Sequence, residues 1–357
     1  MIDRLKMDKL MPYQEFVLKD MMAVDKKNNY RRKTSLLLIS RQNGKSHLGR
    51  VRVIWGMFYG DEKKVIIMSA NRATSLMLFR EIAWIIESTP ELKAMTKAIR
   101  YANGGERIEL LNGATLDVIS DNSSSPRGRT ADLLWIDEIR EISEEGYKAA
   151  VPVTRARANA QTFLTSNAGD HFSSVLNGLV ERAKDYPPET FGYYEYSAPQ
   201  YCKIDITSDY FWKSAVAPSN PALGYTITKE SIEEAIATNP IEQTRTETLC
   251  QWIDSLQSPW PHGAVEDASD NTLKMSPGPL TVFAFDVSPS RRDASLVMGQ
   301  ILPDGKLGIA VLETYSSQVA VDELSIAASV KKWADMYYPR VVCYDKYTTA
   351  SIAQRLQ

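Results

Sequence analysis

Three short clusters carry side chains that could work on a phosphate group. Gly44-Lys45-Ser46 sets a flexible residue, a cation and a hydroxyl in a row; Asp137-Glu138 pairs two carboxylates; Thr165-Ser166-Asn167 is a run of small polar groups. A glycine followed by lysine and serine suits a phosphate loop. Backbone N–H groups and a helix N-terminus cradle the phosphates, the lysine reaches the β and γ oxygens, and the hydroxyl holds Mg²⁺. The usual G-x-x-x-x-G-K-[ST] pattern would place its first glycine at Ile39, so the loop from Ser40 to Ser46 is a variant. Arg41 stands in it as a second positive charge for phosphates, with Gln42, Asn43 and Gly44 completing the cradle. Asp137 would join Ser46 in holding Mg²⁺, while Glu138 polarises the attacking water.

These groups need a scaffold that brings them to one edge. Apolar runs at Ser35–Ile39, Lys64–Ser69, Leu133–Ile136, Thr162–Thr165 and Phe191–Tyr196 read as strands. Helical stretches alternate with them at His47–Tyr59, Ala73–Ser88 and Glu144–Ala150, the pattern of an α/β domain with a mainly parallel sheet. Leu48, Val51, Ile54, Trp55 and Phe58 make the first helix amphipathic. Arg107–Leu111 and Thr115–Ile119 flank Asn112-Gly113, a hairpin signal. A parallel sheet delivers Asp137, and the polar run ending in Asn167, to the same C-terminal edge as the phosphate loop. There Asn167 could sense the γ-phosphate, although a helix N-cap would explain Ser166 or Asn167 as well. Just ahead of Leu133, the Gly- and Pro-containing loop Ser123–Thr130 carries Arg127 and Arg129, either of which could reach a phosphate across a subunit boundary.

Composition bounds the rest. The chain has 357 residues, 44% apolar and 24% charged, with a net charge of −2. That length predicts two or three domains. No apolar run approaches the roughly 20 residues of a membrane span, and Met1–Leu10 lacks the apolar core of a signal peptide. Three cysteines and three histidines show no zinc-ligand spacing, which fits buried thiols in a reducing, cytoplasmic setting. Residues 1–50 carry twelve Lys/Arg against five Asp/Glu, with Lys26, Lys27, Arg31, Arg32 and Lys33 clustered ahead of the phosphate loop. A solvated loop and a phosphate-facing patch explain that cluster equally well.

Past Ser197 the character changes. Residues 203–255 hold helical segments at Lys229–Ala237 and Ile241–Trp252, a small helical subdomain; residues 256–279, rich in Ser, Pro and Gly, read as a linker. A second α/β unit follows: strands at Thr281–Asp286, Ala294–Ile301 and Leu307–Thr314, a helix near Asp322–Tyr337, and a strand at Val341–Asp345. Asp286 and Asp345 tip two of these strands, with Asp293 in a nearby turn. Clustered carboxylates hold the paired hard cations, Mg²⁺ or Mn²⁺, that clamp a phosphodiester during hydrolysis.

Taken together, the chain resembles the large subunit of tailed-phage terminases. The resemblance is carried by the glycine-poor loop Ser40–Ser46, the Arg127-Gly128 loop running into Asp137-Glu138, and Thr165-Ser166-Asn167, with Leu10-Met11-Pro12-Tyr13-Gln14 similar to an upstream adenine-recognition element. It implies a P-loop, ASCE-type ATPase domain over residues 1–202, a helical lid at 203–255 that moves with the nucleotide, a linker at 256–279, and part of a ribonuclease-H-like nuclease at 280–357. It assigns Gln14 to the adenine and Arg127 to a finger acting in trans. ATP and Mg²⁺ are implied for the motor, Mg²⁺ or Mn²⁺ for the nuclease. The implied partners are double-stranded DNA, a portal protein, a small terminase subunit and a homo-oligomeric ring, five-membered by analogy, on the procapsid in the host cytoplasm. No membrane is implied. Nuclease domains of this family supply a further acid beyond the point matching Gln357, so the expectation is an intact ATPase with weak or no cleavage.

Two other classes fit the same residues. One is a helicase or DNA-repair translocase, which would need a second motor lobe where residues 280–357 offer acid-tipped strands. The other is a non-catalytic docking or scaffold protein, against which stand the complete Lys45/Ser46 and Asp137/Glu138 sets.

Overall fold

The apolar runs that end in polar side chains become parallel strands. The computed structural model describes the chain apart from residues 3, 4, 6, 103, 122–127, 171, 186, 201, 254–267, 271, 289, 290, 318, 319, 346–348 and 357. Contacts divide it into two compact units, Met1–Pro261 and His262–Gln357.

The first unit holds β1 (Thr34–Ile39), β2 (Lys64–Ser69), β3 (Thr96–Arg100), β4 (Arg107–Leu110), β5 (Thr115–Ser120), β6 (Leu133–Asp137), β7 (Gln161–Ser166) and β8 (Phe191–Tyr196). They form one sheet in the order β3-β4-β5-β2-β6-β7-β1-β8. Every pairing from β5 to β8 is parallel, and β3–β4 and β4–β5 are antiparallel. The Asn112-Gly113 turn does join β4 to β5 as expected. Central strands buried on both faces explain the near-continuous apolar runs Leu36–Ile39, Val65–Met68 and Leu133–Ile136.

Alternation sorts those side chains between two cores. Leu37, Ile39, Val65, Ile67 and Trp135 meet Leu48, Val51 and Ile54 of α2 (Lys45–Phe58), Leu78, Phe79 and Ile82 of α3 (Arg72–Ser88), and Val17 and Met21 of α1 (Pro12–Met21). Leu36, Leu38, Ile66, Leu134 and Ile136 instead meet Ala150 of α5 and Leu176 and Leu179 of α6. Here α4 is Pro90–Ala94, α5 is Glu144–Ala150 and α6 is Ser174–Asp185. The α2 helix lies so close to β6 that a Cβ on Gly49 would stand 2.2 Å from the Trp135 ring. Asn71 and Ser143 cap α3 and α5 by accepting bonds from Thr74 and Gly146 N–H groups.

The segment after β8 is helical but broken. Short helices at Asp209–Phe211, Ala217–Ser219 and Ile241–Gln243 and α7 (Lys229–Thr238) are interrupted by π-helical turns at Trp212–Val216 and Thr244–Thr248. The expected single helix Ile241–Trp252 therefore does not form. Its π turn ends at Thr248, Cys250 adopts a left-handed φ of 50°, and Leu249 turns its carbonyl to the Ala198 N–H.

In the second unit, β9 (Thr281–Val287), β10 (Asp293–Ile301) and β11 (Leu307–Ser316) form an antiparallel meander, and β12 (Val341–Tyr344) pairs with β9 in parallel. One sheet face, with Phe283, Phe285, Leu296 and Met298, packs on Ile326 and Val330 of α8 (Glu323–Tyr337) and Ile352 of α9 (Ala350–Leu356). On β11, Ile309 is 73% and Val311 62% exposed. Among the described residues no helix is long and apolar enough to cross a membrane.

Candidate functional site

Strand β7 lies between β1 and β6, and its register fixes the site. Thr165 aligns with Leu37 on one side and with Asp137 on the other, so three strands end together. The loop leaving β1 then wraps over that edge. Gln42 takes a φ of 62° and Gly44 a φ of 87°, two left-handed steps that turn the chain into the N-terminus of α2. Ile39, at the position of the missing first glycine, stays in the strand. Gly44 is required twice over: for its φ, and because a Cβ there would meet Gln14 Nε2 at 2.6 Å.

Around Lys45 the groups interlock. Its side chain is 7% exposed, and its ammonium donates to Asn167 Oδ1 and, at 3.4 Å, to the Ile39 carbonyl. Glu138 Oε1 lies 3.8 Å from it. Asp137 is 5% exposed and accepts a 2.6 Å bond from the Thr165 hydroxyl, which itself accepts from Trp135 Nε1 at 3.1 Å. Burial, reinforced by the charge of Glu138, raises the Asp137 carboxyl to about 6; the Thr165 bond and Lys45 pull the other way. Glu138 is held at φ 52°, ψ 54°, a strained setting for a residue with a Cβ, and its Oε2 is buried without a hydrogen-bond partner among the described residues. Arg41, Gln42, Gly44, Lys45, Ser46, Asp137, Glu138, Arg140 and Asn167 line one cleft of about 700 Å³.

Several residues singled out in the sequence turn out to brace the loop. Gln14 is fully buried: its Oε1 accepts from Met11 N–H at 2.9 Å and its Nε2 donates to the Gly44 carbonyl at 3.0 Å. The Tyr13 hydroxyl donates to the Asn43 carbonyl. Asn43 ties the loop to the broken helical segment, donating to Asn220 Oδ1 at 3.0 Å and accepting from Ala222 N–H at 3.0 Å. Arg41 points to that segment as well, with Nη1 2.9 Å from both Glu247 oxygens.

Arg140 and Glu247 escaped the sequence reading. No short pattern marks them, because each is defined by partners far along the chain. Arg140 Nη2 is 3.7 Å from Glu247 Oε1, and its Nη1 donates to the Ala168 carbonyl at 3.4 Å. Burial pushes the Glu247 carboxyl up, but bonds from Gln243 and Arg41 and the charges of Arg41 and Arg140 outweigh it and hold it below the usual range. Arg127 lies outside the described residues, as do residues 256–267 of the expected linker. The basic cluster sits at the start of β1, the opposite end of that strand from the phosphate loop, where Arg32 pairs with Asp20 at 2.9 Å and Lys33 Nζ donates to the Ala158 carbonyl. That geometry places the cluster away from the loop Ser40–Ser46.

In the second unit, Phe285 pairs with Tyr344, so Asp286 and Asp345 come next on neighbouring parallel strands. Both are exposed, and Asp286 Oδ1 accepts from the Val287 N–H at 2.8 Å. Asp293 accepts from the Ser316 hydroxyl at 2.9 Å. Among the described residues no group of three or more His, Cys, Asp or Glu is placed to hold a metal ion.

The family described as "Terminase large subunit, T4likevirus-type, N-terminal" matches residues 36–266. The crystal structure of the HK97 bacteriophage large terminase superposes with a TM-score of 0.60 at 15% identity, covering 98% of this chain and 78% of that one. A mutant of the ATPase domain of the Thermus phage P74-26 large terminase gives 0.50 at 15% identity, over 71% of this chain and 97% of that one. No curated protein matches the chain.

Proposed function

The chain belongs to the terminase large-subunit family, and from that premise we propose that it is the ATP-hydrolysing motor of a phage DNA-packaging machine. The supporting observation is that Lys45, Asp137, Glu138 and Asn167 line one cleft at the C-terminal edge of the sheet. Lys45 and Arg41 bind the β and γ phosphates, and the N–H groups of Gln42, Asn43 and Gly44 close around them. Glu138 orients and polarises the attacking water; Asn167, bonded to Lys45, exchanges that bond for one to the γ-phosphate. Gln14, bonded to the Gly44 carbonyl, fixes the loop beneath the phosphates and takes the adenine with its second amide hydrogen once nucleotide binding uncovers it. Arg127 neutralises charge from a neighbouring subunit.

The donor set suits Mg²⁺, since Ser46 and the buried Asp137 offer hard oxygen ligands in the same cleft. Bound there, the ion would neutralise charge on the phosphate oxygens. What the protein itself contributes is preorganisation: Thr165 fixes Asp137, and the strained turn at Glu138 aims its carboxylate into the cleft.

Residues 1–202 form the motor domain in this reading, 203–255 the lid, 256–279 the linker and 280–357 a ribonuclease-H-like nuclease unit. The lid reading is supported by the bonds from Ser40, Arg41 and Asn43 to Thr248, Glu247 and Asn220, which let the phosphate loop pull on that segment. Asp286 and Asp345, adjacent at strand ends, would hold Mg²⁺ or Mn²⁺ for cutting concatemeric DNA. Double-stranded DNA is the cargo, gripped through its phosphates. A portal protein, a small terminase subunit and a five-membered ring on the procapsid in the host cytoplasm complete the assembly. The deciding experiment is ATP turnover by the full chain with Mg²⁺, against Glu138→Gln. A loss of about 1,000-fold with ATP still bound is expected; an undiminished rate contradicts the site.

A further inference from the structure

Glu138 sits between two cations, one for each oxygen. Oε1 faces Lys45 at 3.8 Å, and Oε2 faces Arg140 Nε at 3.6 Å. Lys45 cannot serve as a fixed holder for Glu138, because its charge is needed on the phosphates. That leaves Arg140, whose position is set from three further sides. Its Nε is 3.1 Å from Glu141 Oε1, its Nη2 is 3.7 Å from Glu247 Oε1, and its Nη1 bonds to the Ala168 carbonyl just past Asn167. Its backbone N–H also donates to the Ser166 hydroxyl at 3.3 Å. The Arg140 side chain is 12% exposed, and neither its Nε nor Glu138 Oε2 has a hydrogen-bond partner among the described residues. Complementary buried groups held just short of bonding are costly to leave apart. A closure of about 0.7 Å would turn the pair into a charge-assisted hydrogen bond.

We propose that Arg140 is a positioning residue for Glu138. It holds Oε2, leaving Oε1 to the attacking water, and Glu141 and Glu247 set the guanidinium's own direction. Because Glu247 also grips Arg41 with both oxygens, the water-orienting carboxylate, the phosphate loop and the broken helical segment share one chain of charges. Glu247 lies on a π-helical turn, a local irregularity that often marks functional positions. The planar fork of arginine suits a hub with several acceptors at fixed angles, which an ammonium serves less well.

The test, which rests on the ATP-hydrolase reading above, measures turnover at saturating MgATP and affinity for a fluorescent ATP analogue in the full chain. Arg140→Gln should lower kcat about 100-fold while the Kd stays within about threefold of wild type. Arg140→Lys should recover about tenfold of that loss, a rescue that mere structural support would not give. If Arg140→Gln does not fold, Glu247→Gln decides: kcat is expected to fall about tenfold, and a saturated rate within about threefold of wild type overturns the proposal. A folded Arg140→Gln with wild-type kcat, or one in which affinity and kcat fall together, also overturns it. Absence of any turnover by the wild-type chain removes the hydrolase reading itself and the proposal with it.

Discussion

The two acid-bearing sheet edges of this molecule are built to different standards. At the first, Lys45, Asp137 and Asn167 are buried and bonded to one another or to Thr165, and Glu138 is held in a left-handed backbone conformation. At the second, Asp286 and Asp345 are exposed at the tips of β9 and β12. Desolvation strengthens every charge at the first edge and makes each group sensitive to its neighbours. Water screens the second edge, where single side chains can change with little consequence for the fold.

The contrast breaks most sharply on the loop lysine. Lys45→Ala is expected to lower ATP turnover by about 1,000-fold or more, measured with saturating MgATP; a loss below tenfold would place the chemistry elsewhere. Next in size is pH. The Asp137 carboxyl sits raised to about 6 by burial, reinforced by the charge of Glu138. Its ionised form in the nucleotide-free chain is therefore lost as pH falls through about 6, and kcat/KM for MgATP should drop roughly tenfold per unit below that point and level off above it. A profile flat from pH 8 to pH 5 would remove Asp137 from the mechanism.

Thr165→Val sharpens the same point. It deletes the hydroxyl that donates to Asp137 and leaves Trp135 Nε1 without its acceptor. Stability should fall by about 1–3 kcal/mol in denaturant unfolding, and the acid limb of the pH profile should move to higher pH. The smallest effect is a pairwise test of the two edges. Because the folded pKa of Asp137 is raised above its unfolded value, its favourable contribution is complete below the unfolded value and lost as pH rises through about 6. At pH 7.5 the ionised group opposes folding, so Asp137→Asn should stabilise the chain by about 1–2 kcal/mol. Asp286→Asn, on an exposed carboxylate, should move stability by no more than about 0.5 kcal/mol.

Much of the first unit could be read from its residues. Runs such as Leu36–Ile39 and Leu133–Ile136 announce buried parallel strands because both faces must be apolar, and the polar residue ending each run marks the sheet edge. β3 was missed for the converse reason: as an edge strand, Thr96–Arg100 has no fully buried residue and two cations. The helix placed at Ile241–Trp252 followed helical composition but could not register the π turn or the left-handed Cys250. Site residues at strand ends were visible because the motif and the element coincide. Arg140 and Glu247 were not, since their meaning comes from partners about 100 residues apart. The resemblance assigns Gln14 to the adenine and the loop pattern assigns Asn43 to the phosphate cradle, but only the folded chain shows them bonded to the Gly44 carbonyl and to Asn220.

Amide hydrogen exchange with and without Mg²⁺ and a non-hydrolysable ATP analogue tests the central claim most directly. Binding should slow exchange together in three stretches, residues 41–47, 137–141 and 165–168. Protection confined to other parts of the chain, or reaching only one of the three, would contradict a single phosphate site at that sheet edge.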